Sequence, residues 1–391
     1  MKPKVIHIIT KLELGGAQQN TLFTAGNLDR GKFHALLWSG PGGILTEEAK
    51  NKMAGDFAIV PHLFREVNPS NDLRALWELR QMLAKEKGKD PGTPIIVHTH
   101  SSKAGILGRM AAKLAGIPVV IHSFHGFGFN DFQRFIVREG YILAEKFTGY
   151  MTDSFIFVSR ANLDKAKELG IGKPAQYNLI RSGIDISEFK PRPIDRKAKR
   201  RELGVAEEGK VVAMVACFKP QKNPVDFVRT AALVLKEVPD AWFVIAGDGE
   251  LRPEMESAIR ELTAPDHVKL LGWRRDVPEI LWASDLLVLT SLWEGLPRVF
   301  PQAMAAGLAI VGTRVDGGPE AVVDGENGYL LAPRDFSGIA QRVIELLKDS
   351  DKSAKMAACG SERVAEWDIH KMVRDQEELY EKLLKDKNLW N

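Results

Sequence analysis

The segment Ser291-Leu292-Trp293-Glu294-Gly295-Leu296-Pro297-Arg298-Val299-Phe300-Pro301-Gln302 carries more potential chemistry than any other stretch of the chain. It follows the apolar run 286–289 and leads into Ala303-Met304-Ala305-Ala306-Gly307, so the pattern predicts strand, loop and helix. That order puts an acid at a strand's exit and free backbone N–H groups at a helix start. Such donors, together with the helix dipole, favour a phosphate. Histidines form a second group. His98, His100 and His122 stand at the ends of apolar runs, where packing or capping is their commoner use, whereas His125 lies in a loop rich in glycine and aromatic residues. Asp349-Ser350-Asp351 has a spacing able to hold a divalent cation. It falls between two helical patterns, so helix capping is the expected use.

These residues need elements to hold them. Short β-branched runs alternate with helical stretches, the pattern of α/β folds with parallel sheets. Strands are expected at residues 5–9, 35–39, 58–60, 95–98, 119–122, 155–158 and 178–180. Helices are expected from Gln18, over 73–83 behind a Ser70-Asn71-Asp72 cap, and over 105–114. Residues 185–193 carry two prolines and few apolar side chains and read as a linker. A second strand series then follows at 211–216, 242–246, 268–271, 286–289, 309–312 and 328–331. Two doubly wound halves are expected, with a ligand cleft between the carboxyl ends of their sheets.

At 391 residues and 45% hydrophobic, the chain can bury two cores. Lys plus Arg number 54 against 51 Asp plus Glu, a net +3, which argues against a dedicated nucleic-acid binder. The two cysteines, Cys217 and Cys359, exclude a disulfide framework and a cysteine-based zinc site. Residues 5–9 are too short an apolar run for a signal peptide, and no apolar stretch reaches membrane-spanning length. A cytoplasmic protein is expected.

Six segments, in order along the chain, resemble the family 4 retaining glycosyltransferases, which have the GT-B fold. Gly15-Gly16-Ala17 is similar to that family's first loop, and Ser182-Gly183-Ile184-Asp185 through Phe189-Lys190-Pro191 to its linker. Ala246-Gly247-Asp248-Gly249-Glu250-Leu251 resembles its mid-domain turn, and Glu294-Gly295-Leu296-Pro297 with Ala303 to Gly307 its signature. Gly317-Gly318-Pro319-Glu320 and Asp324-Gly325-Glu326-Asn327-Gly328 resemble its last loops. The histidine segments 98–105 and 122–127 are most similar to bacterial members that assemble capsule or O-antigen polysaccharides. Two positions depart from the family. Gln302 stands where a glutamate usually holds the donor ribose, and Cys217 stands roughly where an arginine is expected, with Lys219 nearby.

The resemblance implies a GT-B architecture of two Rossmann-like domains facing each other across a cleft. Residues 1–185 would form the acceptor domain, 186–368 the nucleotide-sugar domain, and 369–391 a helix returning to the first. It implies a retaining, metal-independent transfer of a sugar from a nucleoside diphosphate, expected to be UDP. The acceptor would be a glycan or a polyprenyl-linked saccharide in surface polysaccharide synthesis. No cofactor is implied. His125, Glu294 and Lys222 become the candidate catalytic residues. Gly15, Gly16, Lys219, Lys222, Gly295, Leu296, Arg298, Val299 and Gln302 become candidate donor contacts, with His100 and Gly126 on the acceptor side. No residue is assigned to a metal. A GT-B nucleotide-sugar epimerase and an inactive sugar-nucleotide-binding protein are the alternatives, the second motivated by Gln302 and Cys217. The run Phe124, Phe127, Phe129, Phe132 and Phe135 reads as a partly buried loop and helix of the first domain, with a hydrophobic lip that meets a lipid-linked acceptor as the alternative. The basic stretch 196–201 reads as a solvated helix start, with contact to anionic lipid or acceptor phosphate as the alternative. Peripheral contact with the cytoplasmic face of the inner membrane is part of the same expectation.

Overall fold

The computed structural model describes residues 2–390. They divide into two compact units, one running to Gly183 and resumed from Ile369, the other Ile184–Asp368. The first is built on seven strands: β1 (Lys4–Ile9), β2 (His34–Ser39), β3 (Phe57–Ile59), β4 (Ile95–His100), β5 (Val119–Phe124), β6 (Ser154–Phe157) and β7 (Tyr177–Leu179). Their order is β3-β2-β1-β4-β5-β6-β7, every pair parallel. Strand order therefore reverses between β1 and β4, where the carboxyl ends leave a crevice. β1, β4 and β5 are buried along their whole length, which is why they read as continuous apolar runs and not as alternating ones.

Helices cover both faces. Leu79 and Leu83 of Pro69–Lys89 and Ala104, Ala111 and Ala112 of Ser102–Leu114 pack with Ile6, Ile8 and Val97. On the other face the helix Ile369–Asp386 sets Ile369, Met372, Val373, Leu379, Tyr380 and Leu384 against Val5, Ile96 and Ile121. Gly183 stands where the chain returns: a Cβ there would lie 2.4 Å from the Ile369 Cα, so no larger residue fits. The helix expected behind Ser70 starts earlier, at Pro69, because the Asn68 side chain caps it by accepting from the Asn71 N–H and proline suits the first turn. The helix expected from Gly105 likewise starts at Ser102, just after Ser101 takes a φ of 62°.

The second unit has β8 (Lys210–Val215), β9 (Ala241–Ala246), β10 (Val268–Leu270), β11 (Leu286–Leu289), β12 (Ala309–Thr313) and β13 (Gly328–Leu331). Their order is β10-β9-β8-β11-β12-β13, again all parallel, with the reversal between β8 and β11. The expected linker is ordered in part: Ile186–Phe189 is a helical turn capped by Asp185. The basic stretch is not a merely solvated helix start. Arg200 is buried and its guanidinium donates to Ala283 O, Glu207 O, Gly209 O and Asp285, while Arg196, Lys197, Lys199 and Arg201 all pair with carboxylates.

Candidate functional site

In the second unit, the loops leaving β8 and β11 meet at the strand-order reversal. Ala216 to Asn223 follows β8, and Thr290 to Arg298 follows β11. They are stitched together: Leu292 N donates to Gln221 O at 2.7 Å, Gln221 Nε2 to Trp293 O at 3.0 Å, and Thr290 Oγ1 to Asn223 O at 2.9 Å. This brings the Lys222 ammonium onto the Glu294 carboxylate, where the two form an ion pair with the glutamate side chain 6% exposed. Ser291 Oγ donates to the same carboxylate oxygen at 2.7 Å, and Asp316 accepts from the Glu294 N–H at 2.7 Å. The Ala246 to Leu251 turn supports the first loop from below. Gly247, at φ 150°, comes so close to Ala216 O that a Cβ would clash at 1.9 Å.

The other donor candidates of the second unit lie on these two loops or on the helix Val299–Ala305 that follows the second of them. Gly295, Leu296 and Val299 are buried, while Lys219, Arg298 and Gln302 are partly exposed. Desolvation draws the Arg298 guanidinium down to about 10, with Glu188 opposing, so it stays cationic at neutral pH. The helix after the signature, Val299–Ala305, has only seven residues. Its dipole is correspondingly small. Cys217 is a free thiol, half-buried beside Lys219.

The first unit gathers histidines at its own reversal. His7 on β1 is paired in register with His98 on β4, and Ile9 with His100. His7 Nδ1 lies 3.0 Å from His100 Nε2, and His100 Nδ1 lies 3.1 Å from His125 Nε2. His98 sits between Tyr380 Oη at 2.6 Å and Ser123 Oγ at 2.7 Å. Burial pushes His7 down to about 3 and holds His98, His100 and His122 well below the usual imidazole range, so these four are neutral near pH 7. His100, expected on the acceptor side, is 2% exposed and both its nitrogens face other imidazoles, those of His7 and the half-buried His125. His122 is a core residue that hydrogen-bonds Thr99 at 2.9 Å. Gly126 adopts φ 125°, a conformation that only glycine takes readily, and lets the chain turn away after His125. Gly15 precedes and Gly16 opens the helix Gly16–Asn27, both partly exposed.

His7, His98 and His100 present nitrogens within 4.8 Å of one another, the spacing of a metal-ligating trio. His7 Nδ1 and both His100 nitrogens are taken up in contacts between imidazoles, and His98 is held by Tyr380 and Ser123, which leaves His7 Nε2 as the one nitrogen of the trio without a partner among the described residues. Asp349 caps the helix Ser350–Arg363 by accepting from the Lys352 N–H, and Asp351 is exposed. The phenylalanine run splits: Phe124 and Phe129 are buried, but Phe132 and Phe135 are exposed. Sequence reasoning missed His7, Asp316 and the contact of Tyr380 with His98, while Ser291 stood in the signature segment without a role of its own. His7 left a signal, as a lone polar residue inside an apolar strand.

Two all-parallel α/β units, the second with a lysine and a glutamate converging where its strand order reverses, define a GT-B glycosyltransferase. The profile described as Glycosyltransferase Family 4 matches residues 14–188, and that described as Glycosyl transferases group 1 matches residues 195–363. The UDP-Gal:alpha-D-GlcNAc-diphosphoundecaprenol alpha-1,3-galactosyltransferase of Escherichia coli is 33% identical over 385 residues, 97% of each chain. The putative glycosyltransferase EpsD of Bacillus subtilis is 26% identical over 73% of this chain and 76% of its own. Among solved structures, Anabaena Alr3699/HepE in complex with UDP and glucose superposes with a TM-score of 0.84 at 20% identity, covering 97% of this chain and all of that one. The chain belongs to the family 4 glycosyltransferases.

Proposed function

We propose that the enzyme transfers a sugar from UDP, with retention and without a metal, to a saccharide linked to a polyprenyl diphosphate. The observation that carries this is the Lys222–Glu294 pair at the β8/β11 reversal. Lys222, Lys219 and Arg298 would offset charge on the diphosphate, Gln302 would hold the ribose, and Glu294 would hold hydroxyls of the transferred sugar. In the first unit, His125 would contact the sugar, with Gly15 and Gly16 allowing close backbone approach. The sugar's C1–O bond to the diphosphate breaks as the acceptor oxygen bonds C1 from the same face. The acceptor proton passes to the departing phosphate oxygen. The protein contributes positioning and fixed charge, and needs no general base of its own. The name of the Escherichia coli relative supports both the UDP donor and the diphosphoundecaprenol-linked acceptor.

No described helix is long and apolar enough to cross a membrane. A peripheral contact on the cytoplasmic face is supported by the helix Phe135–Gly149. Its exposed side carries Phe135, Ile136, Leu143 and Phe147, with Tyr150 just beyond, and Arg134 and Lys146 flank them. Apolar residues beside cations suit an anionic lipid surface.

The test is a thermal-shift panel of nucleotide sugars, followed by transfer of the stabilising sugar to synthetic GlcNAc-diphosphoundecaprenol, in EDTA, with the product's anomeric configuration read by NMR. UDP-sugar binding, retention and full activity in EDTA are expected. An inverted product, or a strict need for magnesium or manganese, would overturn the mechanism. Sedimentation with phosphatidylglycerol vesicles, lost in Ile136→Ser/Leu143→Ser, tests the membrane face; equal sedimentation of the variant would remove it.

A further inference from the structure

Residues 290–297 belong to neither strand nor helix, so no ladder of their own holds Glu294 in place. Neighbouring loops do so instead. The loop after β12 lies against this segment, and hydrogen bonds cross between the two. Thr313 Oγ1 donates to Ser291 O at 2.5 Å, and Gly317 N donates to Gly295 O at 3.2 Å. Between these, Asp316 Oδ2 accepts from the Glu294 N–H at 2.7 Å. This last bond has a carboxylate as its acceptor, which makes it the strongest of the three by type.

Asp316 makes that bond from a strained backbone. Its φ is 40°, in the left-handed region that residues other than glycine rarely adopt. Strain of this kind persists where the surroundings hold it, and it gathers at functional sites. A glycine would take the same conformation without strain. What the aspartate adds is an acceptor on the main chain of the residue that pairs with Lys222. The Glu294 carboxylate is itself used unevenly. Lys222 Nζ and Ser291 Oγ both donate to its Oε1, which leaves Oε2 for another donor.

We infer that Asp316 is a positioning residue, fixing the Glu294 main chain so that Oε1 stays on Lys222 and Ser291 while Oε2 takes a hydroxyl of the transferred sugar. This rests on the proposed contact of Glu294 with that sugar. The same bond takes the Glu294 N–H out of the set of donors open to the diphosphate. Sequence alone does not mark Asp316 for this task, since 22 positions separate it from Glu294 and a different strand delivers it.

Hydrogen exchange of the Glu294 amide tests this, read by NMR of full-length protein labelled with ¹⁵N-glutamate and assigned by difference against Glu294→Gln. In the wild type this amide should exchange slowly. Asp316→Gly relieves the backbone and deletes the acceptor, so exchange there should rise roughly tenfold or more. Its turnover of the UDP-sugar selected by the thermal-shift panel, with GlcNAc-diphosphoundecaprenol as acceptor, should fall roughly tenfold, the loss of about one hydrogen bond. UDP affinity by calorimetry should be kept. Asp316→Asn tolerates the left-handed region and retains a carbonyl acceptor, so slow exchange and turnover within about threefold of the wild type are expected.

A wild-type amide that exchanges like an unprotected peptide would overturn the inference without any variant. Normal turnover in Asp316→Gly would overturn it too. So would an asparagine variant that keeps the slow amide and yet turns over as poorly as the glycine variant, because charge and not placement would then be what Asp316 supplies. Normal turnover in Glu294→Ala would instead defeat the proposed sugar contact, while the exchange rates still report whether Asp316 holds the loop.

Discussion

Removing the Lys222 ammonium leaves the buried Glu294 carboxylate with the Ser291 hydroxyl as its remaining side-chain partner. Lys222→Ala is expected to weaken UDP binding by about 1.5–3 kcal/mol, the loss of a charge-assisted contact. Titration calorimetry checks this, and unchanged affinity would take Lys222 out of the donor site. At Gln302, Gln302→Glu should bind UDP at least as tightly, since a carboxylate accepts hydroxyl bonds more strongly. Gln302→Leu should lose about 1–3 kcal/mol by leaving ribose hydroxyls unpaired. A leucine variant that binds normally would mean the ribose is held elsewhere. Glu294 and its neighbours were legible in sequence because strand, acid and helix follow one another within a few residues. The Lys222–Glu294 contact was not, because 72 residues separate them and only the β8/β11 reversal joins them. Arg200 was misread for the same reason: a run of like charges says nothing of the carbonyls and the Asp285 carboxylate that a distant turn brings to it.

At the scale of the element, the helix Ile369–Asp386 shows what periodicity can and cannot give. Its stripe of Ile369, Met372, Val373, Gln376, Leu379 and Tyr380 repeats at helical spacing and is buried, with Leu384 rather than Leu383 fully enclosed at its end. Spacing marked the buried face. It could not show that Tyr380 ends on His98, or that Glu377 accepts from the Asp29 N–H at 2.5 Å and Glu381 pairs with Lys32 at 2.9 Å. Leu384→Ala should destabilise the first unit by about 2–5 kcal/mol, through lost burial and the cavity left behind. Urea unfolding followed by hydrogen exchange in β1 and β4 measures this. A change below about 0.5 kcal/mol would show that the helix end contributes little to that core.

For the whole molecule, the strand series and both sheets were legible because fully buried parallel strands announce themselves as apolar runs between helices. Strand order was not, since it depends on which crossover passes which face. The four neutral buried histidines give the fold a characteristic acid sensitivity. Their native affinities for protons lie below the unfolded value near 6.5, so the unfolded chain binds more protons as pH falls below that point. Stability is therefore full above about pH 7 and falls as pH drops from about 6.5 towards 3, the value for His7. His7 costs up to about 1.4 kcal/mol per pH unit over that window, and His98, His100 and His122 add to the fall below their unfolded value. Urea midpoints at pH 7.5, 6.5 and 5.5 should decline steeply at the last step. Midpoints flat down to pH 5 would contradict neutral burial.

The first unit is completed by residues that follow the second one in the chain. A ribosome delivers Val5, Ile96 and Ile121 before the second unit, and Leu379, Tyr380 and Leu384 only after it. The continuous second unit can close while synthesis proceeds, but one face of the first sheet stays apolar and bare until Ile369–Asp386 has been made. Messages truncated just before the codons for that helix should therefore yield a chain whose second unit is sound and whose first is sticky. The helix thus makes the earlier-made unit the later of the two to cover its own core.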